Sequence, residues 1–127
     1  MEAVAIVTII ALAQYVFFAI QVGAMRAKHG VSAPAVTGHQ EFEHRFRIQQ
    51  NTMEQLVAFI PALWIFAWLV NPLWGAGFGV VFIIGRFIYW SSYRKDPASR
   101  GAGFTITFLP TVVMLVWSLI DAVWSYL

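Results

Sequence analysis

The 127-residue sequence has no cysteine, and only 11% of its residues are charged. Without thiols there is no disulfide framework, no cysteine nucleophile and no thiolate zinc site. Soluble domains carry about 25% charged residues, so a chain with less than half of that cannot cover a water-facing surface. Its net charge of +2 is too small to track a phosphate backbone, which excludes nucleic acid as a partner. There is also no basic stretch ahead of the first apolar run, and that run is too long for a cleavable signal peptide, so it reads as a retained helix. No internal repeat, low-complexity tract or second domain interrupts the chain, and 1–127 reads as a single domain. What is abundant is apolar: 60% hydrophobic and 17% aromatic residues, with a mean hydropathy of +0.71. That composition belongs to a membrane protein.

Crossing a hydrocarbon core of about 30 Å takes roughly 20 helical residues. The segment Val4–Met25, interrupted only by Thr8, Gln14 and Gln21, meets this, as does Phe104–Trp124, where Pro110 removes one helical hydrogen bond and predicts a kink. Between them lie two half-polar segments. One is polar until Leu56 and apolar afterwards; the other is apolar until Arg86 and polar afterwards; Asn71-Pro72 marks the turn between them. Paired antiparallel, they bring their polar halves to the same face. The expectation is an all-α membrane protein, a four-transmembrane-helix up-down bundle with helices at about 4–25, 42–70, 73–94 and 101–125.

All eight basic residues fall in or beside the connections 26–41 and 94–101, on the polar ends of the helices. The positive-inside rule then puts both connections in the cytoplasm, in a bacterial inner membrane or the endoplasmic reticulum of a eukaryote. His29, His39 and His44 lack metal-ligand spacing and predict no metal site. Gly75, Gly77 and Gly79 form no nucleotide fingerprint and predict close helix contact instead.

Within the second helix Arg47, Asn51 and Glu54 fall on one narrow stripe at 100° per residue, while Gln49 points nearly the opposite way. On the third, Arg86, Tyr89 and Tyr93 share a face, and Arg100 follows after Asp96-Pro97. Two readings are open on periodicity alone. The groups either pair among themselves to fix helix packing, or they line a site for a small zwitterion with several carboxylates. Arg45, Arg94 and Lys95 read as interfacial anchors.

The run FEHRFRIQQNTMEQ (Phe42 to Gln55), together with GRFIYWSSYRKDPASR (Gly85 to Arg100) and the loop Val31-Ser32-Ala33-Pro34 with Thr37-Gly38, resembles the membrane-associated proteins in eicosanoid and glutathione metabolism (MAPEG). The likeness is strongest to the family's microsomal glutathione transferases and its leukotriene-forming members. The resemblance implies a homotrimer with glutathione bound between subunits near the cytoplasmic face. Position by position, it implies Arg47, Asn51, Glu54, Tyr89 and Tyr93 as glutathione-binding residues of one subunit, Arg26 and Gln49 as its neighbour's contribution, and Arg100 as the catalytic arginine at the thiol. Gln55 stands where the family has an aromatic residue, and Ala27 where it has a second arginine tied to the lipid-epoxide substrate, which points away from leukotriene synthesis.

Glutathione would supply the sulfur that the chain lacks, a free thiol being only a few per cent ionised at pH 7. The expected activity is glutathione transfer to lipophilic electrophiles from the bilayer, with glutathione-dependent reduction of lipid hydroperoxides as a second activity. Phe59, Trp64 and Trp117 are candidates for the apolar groove. The competing readings are a non-catalytic family member that presents fatty acids to a partner, and a small transporter whose polar stripe lines a water path.

Overall fold

The computed structural model describes residues 1–127 and contains four long helices: α1 (Glu2–His29), α2 (Gln40–Leu69), α3 (Pro72–Lys95) and α4 (Gly101–Tyr126), with one 3-10 turn, Pro97–Ser99, ahead of α4. Each is long and apolar enough to cross a membrane, including the two half-polar ones. The ends differ from the sequence reading by a few residues, because local caps fix them. Gly30 closes α1 in the left-handed region, at φ 65°, which costs glycine nothing. Asn71 opens α3 by accepting the N–H groups of Leu73 and Trp74 at 2.9 and 3.1 Å, with Pro72 at the first helical position where its missing N–H does no harm. Pro110 does not divide α4, and Pro61 likewise sits inside an unbroken α2.

The bundle interior is filled by Val4, Val7 and Ala11 of α1, by Phe59, Leu63 and Phe66 of α2, and by Phe82 and Met114 of the other helices, with Phe59 and Phe82 stacked 3.9 Å apart. The outside is as apolar as the inside: Ile9, Ile20, Trp68, Leu73 and Trp124 are all exposed. Lipid is then the natural solvent for that surface, and packing and interhelical hydrogen bonds, rather than apolar burial, hold the helices together. The three polar interruptions of α1 supply such bonds. Thr8 accepts the Trp64 indole N–H at 3.1 Å, Gln14 donates to the Ile83 carbonyl at 3.0 Å, and Gln21 accepts from Trp90 at 2.6 Å.

Where α3 and α4 cross, the separation is set by glycine. A Cβ on Gly103 would fall on the backbone of Tyr89, and one on Gly85 would lie 2.8 Å from the Thr107 nitrogen. Gly103, Thr107 and Thr111 form a buried small-residue stripe at four-residue spacing. Of the three glycines expected to permit close contact, Gly75 and Gly79 pack against Leu63 and Val7, but Gly77 meets nothing within 4 Å. It opens instead onto a shallow apolar groove of α3.

Candidate functional site

A pocket of about 670 Å³ opens between the polar half of α2, the polar half of α3 and the start of α4. Arg47, Asn51, Glu54 and Gln55 come from α2, Tyr89 and Tyr93 from α3, and Ala98, Arg100, Gly101 and Phe104 from the turn and the α4 start. The i+4 and i+7 spacing of α2 puts its first three on one wall. Arg100 reaches the same space because Asp96 ends α3 and caps the 3-10 turn, its carboxylate accepting the Ala98 N–H at 3.1 Å. The chain thereby reverses within a few residues. The volume lies within the range of small-molecule sites.

Arg47 and Glu54 form an ion pair at 3.3 Å along the α2 wall of the pocket, with both side chains about half exposed. Such a pair contributes roughly 0.2–1 kcal/mol, so a ligand carrying both charge signs can displace it at little cost. Tyr89 and Tyr93 lie with ring centroids 5.5 Å apart, and the Arg100 guanidinium stands 5.7 Å from the Tyr93 ring while donating to the Pro97 carbonyl at 2.9 Å. The pocket thus offers two cations, one anion, two amides and three aromatic rings.

Two of the expected site residues lie elsewhere in this subunit. Arg26 donates to the Ala35 carbonyl at 2.8 Å and stacks over Phe42 at 4.6 Å. Gln49 donates to the Tyr15 hydroxyl at 3.3 Å, on the α1 side of α2. Neither lines the pocket.

Arg86 shares a helix face with Tyr89 and Tyr93, yet it does not reach the pocket. It is fully buried behind it, bonded to Asn51, Thr52 and Thr107, with its guanidinium 4.1 Å over the Tyr89 ring. Phe59 drops out as a groove residue because it is sealed in the core. Trp64 is tied to Thr8, and Trp117 packs on Phe66 and Trp74 at the opposite end of the bundle. The aromatic wall residue that the sequence reading missed is Phe104. It lines the pocket and stacks on the exposed Phe108 at 5.7 Å, forming an apolar strip down the lipid side of α4. Their i, i+4 spacing was the available signal, hidden in a uniformly apolar run.

The family model for the MAPEG family matches residues 4–120. The chain is 41% identical over 103 residues to human microsomal glutathione S-transferase 2, covering 81% of this chain and 70% of the relative. It is 38% identical over 121 residues to an uncharacterized protein of Synechocystis, covering 95% and 88%. It is 31% identical over 96 residues to leukotriene C4 synthase of Cavia porcellus, covering 76% and 64%.

Proposed function

The chain belongs to the MAPEG family, and from that membership and the pocket's donor set we propose that it is a membrane-bound glutathione transferase that conjugates the glutathione thiolate to lipophilic electrophiles. The observation that carries the proposal is the convergence of Arg47, Asn51, Glu54, Tyr89, Tyr93 and Arg100 on one pocket. Glutathione carries two carboxylates, an ammonium and a thiol. Arg47 suits a carboxylate, which a guanidinium can take through two hydrogen bonds. Glu54, the pocket's one acid, suits the ammonium.

The thiol is assigned to Arg100. A cation beside a thiol favours the thiolate, and the start of α4, which has no side-chain cap, adds the positive end of a helix dipole. The thiolate sulfur attacks the electrophilic carbon and forms a C–S bond; the leaving group departs with its electron pair, or an epoxide oxygen keeps the pair and takes up a proton. The Phe104–Phe108 strip supports arrival of the electrophile from the bilayer. The same thiolate supports a peroxidase activity, in which two glutathiones are oxidised to the disulfide while a lipid hydroperoxide is reduced to the alcohol and water.

A homotrimer completes the proposed site, with Arg26 and Gln49 reaching a neighbour's pocket. Both lie away from the pocket of their own subunit. The basic connections face the cytoplasm in this arrangement.

The test is glutathione binding to the purified protein in detergent, with absorbance of the bound thiolate, followed by conjugation of a generic aromatic electrophile. Saturable binding, a thiolate signal and turnover are expected. Glu54→Gln should raise the glutathione KM about tenfold, the loss of one charge-assisted hydrogen bond. Binding without turnover would favour a non-catalytic member; no binding at all would leave only the fold and the family.

A further inference from the structure

Among the charged groups that the proposed mechanism does not use, Arg86 is the most buried, with no exposed surface. No carboxylate of the chain lies within ion-pair distance of it. A lone cation within a membrane-spanning helix is held only where it does something. Its guanidinium is spread over three neutral acceptors: Nε donates to the Thr107 hydroxyl at 3.2 Å, and Nη1 donates to the Thr52 hydroxyl at 3.2 Å and to Asn51 Oδ1 at 2.9 Å. Only Asn51 among these also lines the pocket.

An arginine donates and never accepts. The atom of Asn51 that faces it must therefore be the carbonyl oxygen, which leaves the amide nitrogen free. That nitrogen forms no hydrogen bond within the chain, and it is not among the buried polar atoms that lack a partner. Asn51 is otherwise buried and lines the pocket, so the pocket is the space open to that nitrogen.

We propose that Arg86 is a positioning residue of the glutathione site: by holding the carbonyl oxygen of Asn51 it turns the amide N–H donors into the pocket, where they receive a carboxylate or peptide carbonyl oxygen of glutathione and exclude its ammonium. This rests on the glutathione reading above. The buried cation also polarises the amide it holds, which strengthens the outward N–H as a donor. Rotation of the amide would put N–H against N–H at Arg86 and a carbonyl oxygen into the pocket, so Arg86 decides which end of glutathione Asn51 accepts. Lysine keeps the charge but has no planar fork, and cannot hold Asn51, Thr52 and Thr107 at once in this geometry.

The experiment is a double-mutant cycle on the full-length protein in detergent, with wild type, Arg86→Lys, Asn51→Ala and the double variant. It reads glutathione Kd and KM, kcat, and ligand-free thermal unfolding. Arg86→Lys is expected to raise Kd and KM on the order of tenfold and to change kcat at saturating glutathione less than about threefold, because Arg100 handles the thiol. Asn51→Ala is expected to cause a similar rise, and the double variant to bind no worse than Asn51→Ala alone. Losses that multiply in the double variant, or an unchanged Kd in Arg86→Lys, would overturn the proposal.

Asn51→Asp supplies a second arm in case Arg86→Lys does not fold. The new carboxylate neutralises Arg86 and preserves the buried contact but has no N–H to offer, so the variant should unfold at or above the wild-type temperature and lose glutathione affinity at least tenfold. Wild-type affinity in Asn51→Asp overturns the inference. A wild type that binds no glutathione overturns the functional reading and this inference with it, whereas a wild type that binds, with an additive cycle, overturns this inference alone.

Discussion

Arg100→Ala should lower conjugation turnover roughly a hundredfold at saturating glutathione, the scale for loss of one group that stabilises reacting charge, while glutathione affinity changes only severalfold. The two effects separate because Arg100 comes from a different wall of the pocket, the start of α4. It is held by the Pro97 carbonyl and faces Tyr93, whereas Arg47 and Glu54 belong to the α2 wall. Removing the cation returns the bound thiol toward its ordinary pKa of about 8.5, and each unit of rise corresponds to about 1.4 kcal/mol. The absorbance of bound thiolate at neutral pH should therefore fall together with turnover, and both should recover in part as the pH is raised. Unchanged turnover, or an affinity loss as large as the turnover loss, would remove Arg100 from the thiol.

Gly103→Val should cause the largest loss of folded protein. A side chain at this position has no room, because even a Cβ would collide with the backbone of Tyr89, which cannot move aside as a flexible side-chain tip would. The helices must separate. Thr107, which donates to the Gly103 carbonyl at 2.8 Å, then moves away from Arg86, leaving that buried cation with one acceptor fewer. Overpacking by itself costs about 1–3 kcal/mol, and loss of a hydrogen bond to a buried charge adds a comparable amount. Low yield, a lowered unfolding temperature and absent glutathione binding are expected together. Gly77→Ala, at a glycine with open space around it, serves as the control and should leave yield and unfolding temperature unchanged.

The pocket ties both predictions to one piece of architecture. The α3–α4 crossing brings Tyr89 against Gly103, and the short turn after Asp96 starts α4 in time for Arg100 and Phe104 to face α2. A shift of this crossing moves Arg100 and Phe104 relative to Arg47 and Glu54, so on the proposed function binding and chemistry should fail together when the helices part.

Four spans, their antiparallel order and the face that holds the basic residues follow from the linear sequence, because hydrocarbon thickness and charge act on each helix separately. The α2 stripe is equally local: helical periodicity places Arg47, Asn51 and Glu54 together and sends Gln49 toward Tyr15. Periodicity gives a direction but says nothing of what stands in that direction. Arg86 has the same helical phase as its pocket-lining neighbours, yet α2 and α4 close over it with three acceptors and seal it from the pocket. Gly77 has the spacing of a contact glycine and faces open space, and Phe59 has the look of a groove residue and lies in the core. Each of these outcomes depends on the rotation and distance of a neighbouring helix. Those are set by backbone contacts such as Gly103 on Tyr89, between residues that no local pattern connects.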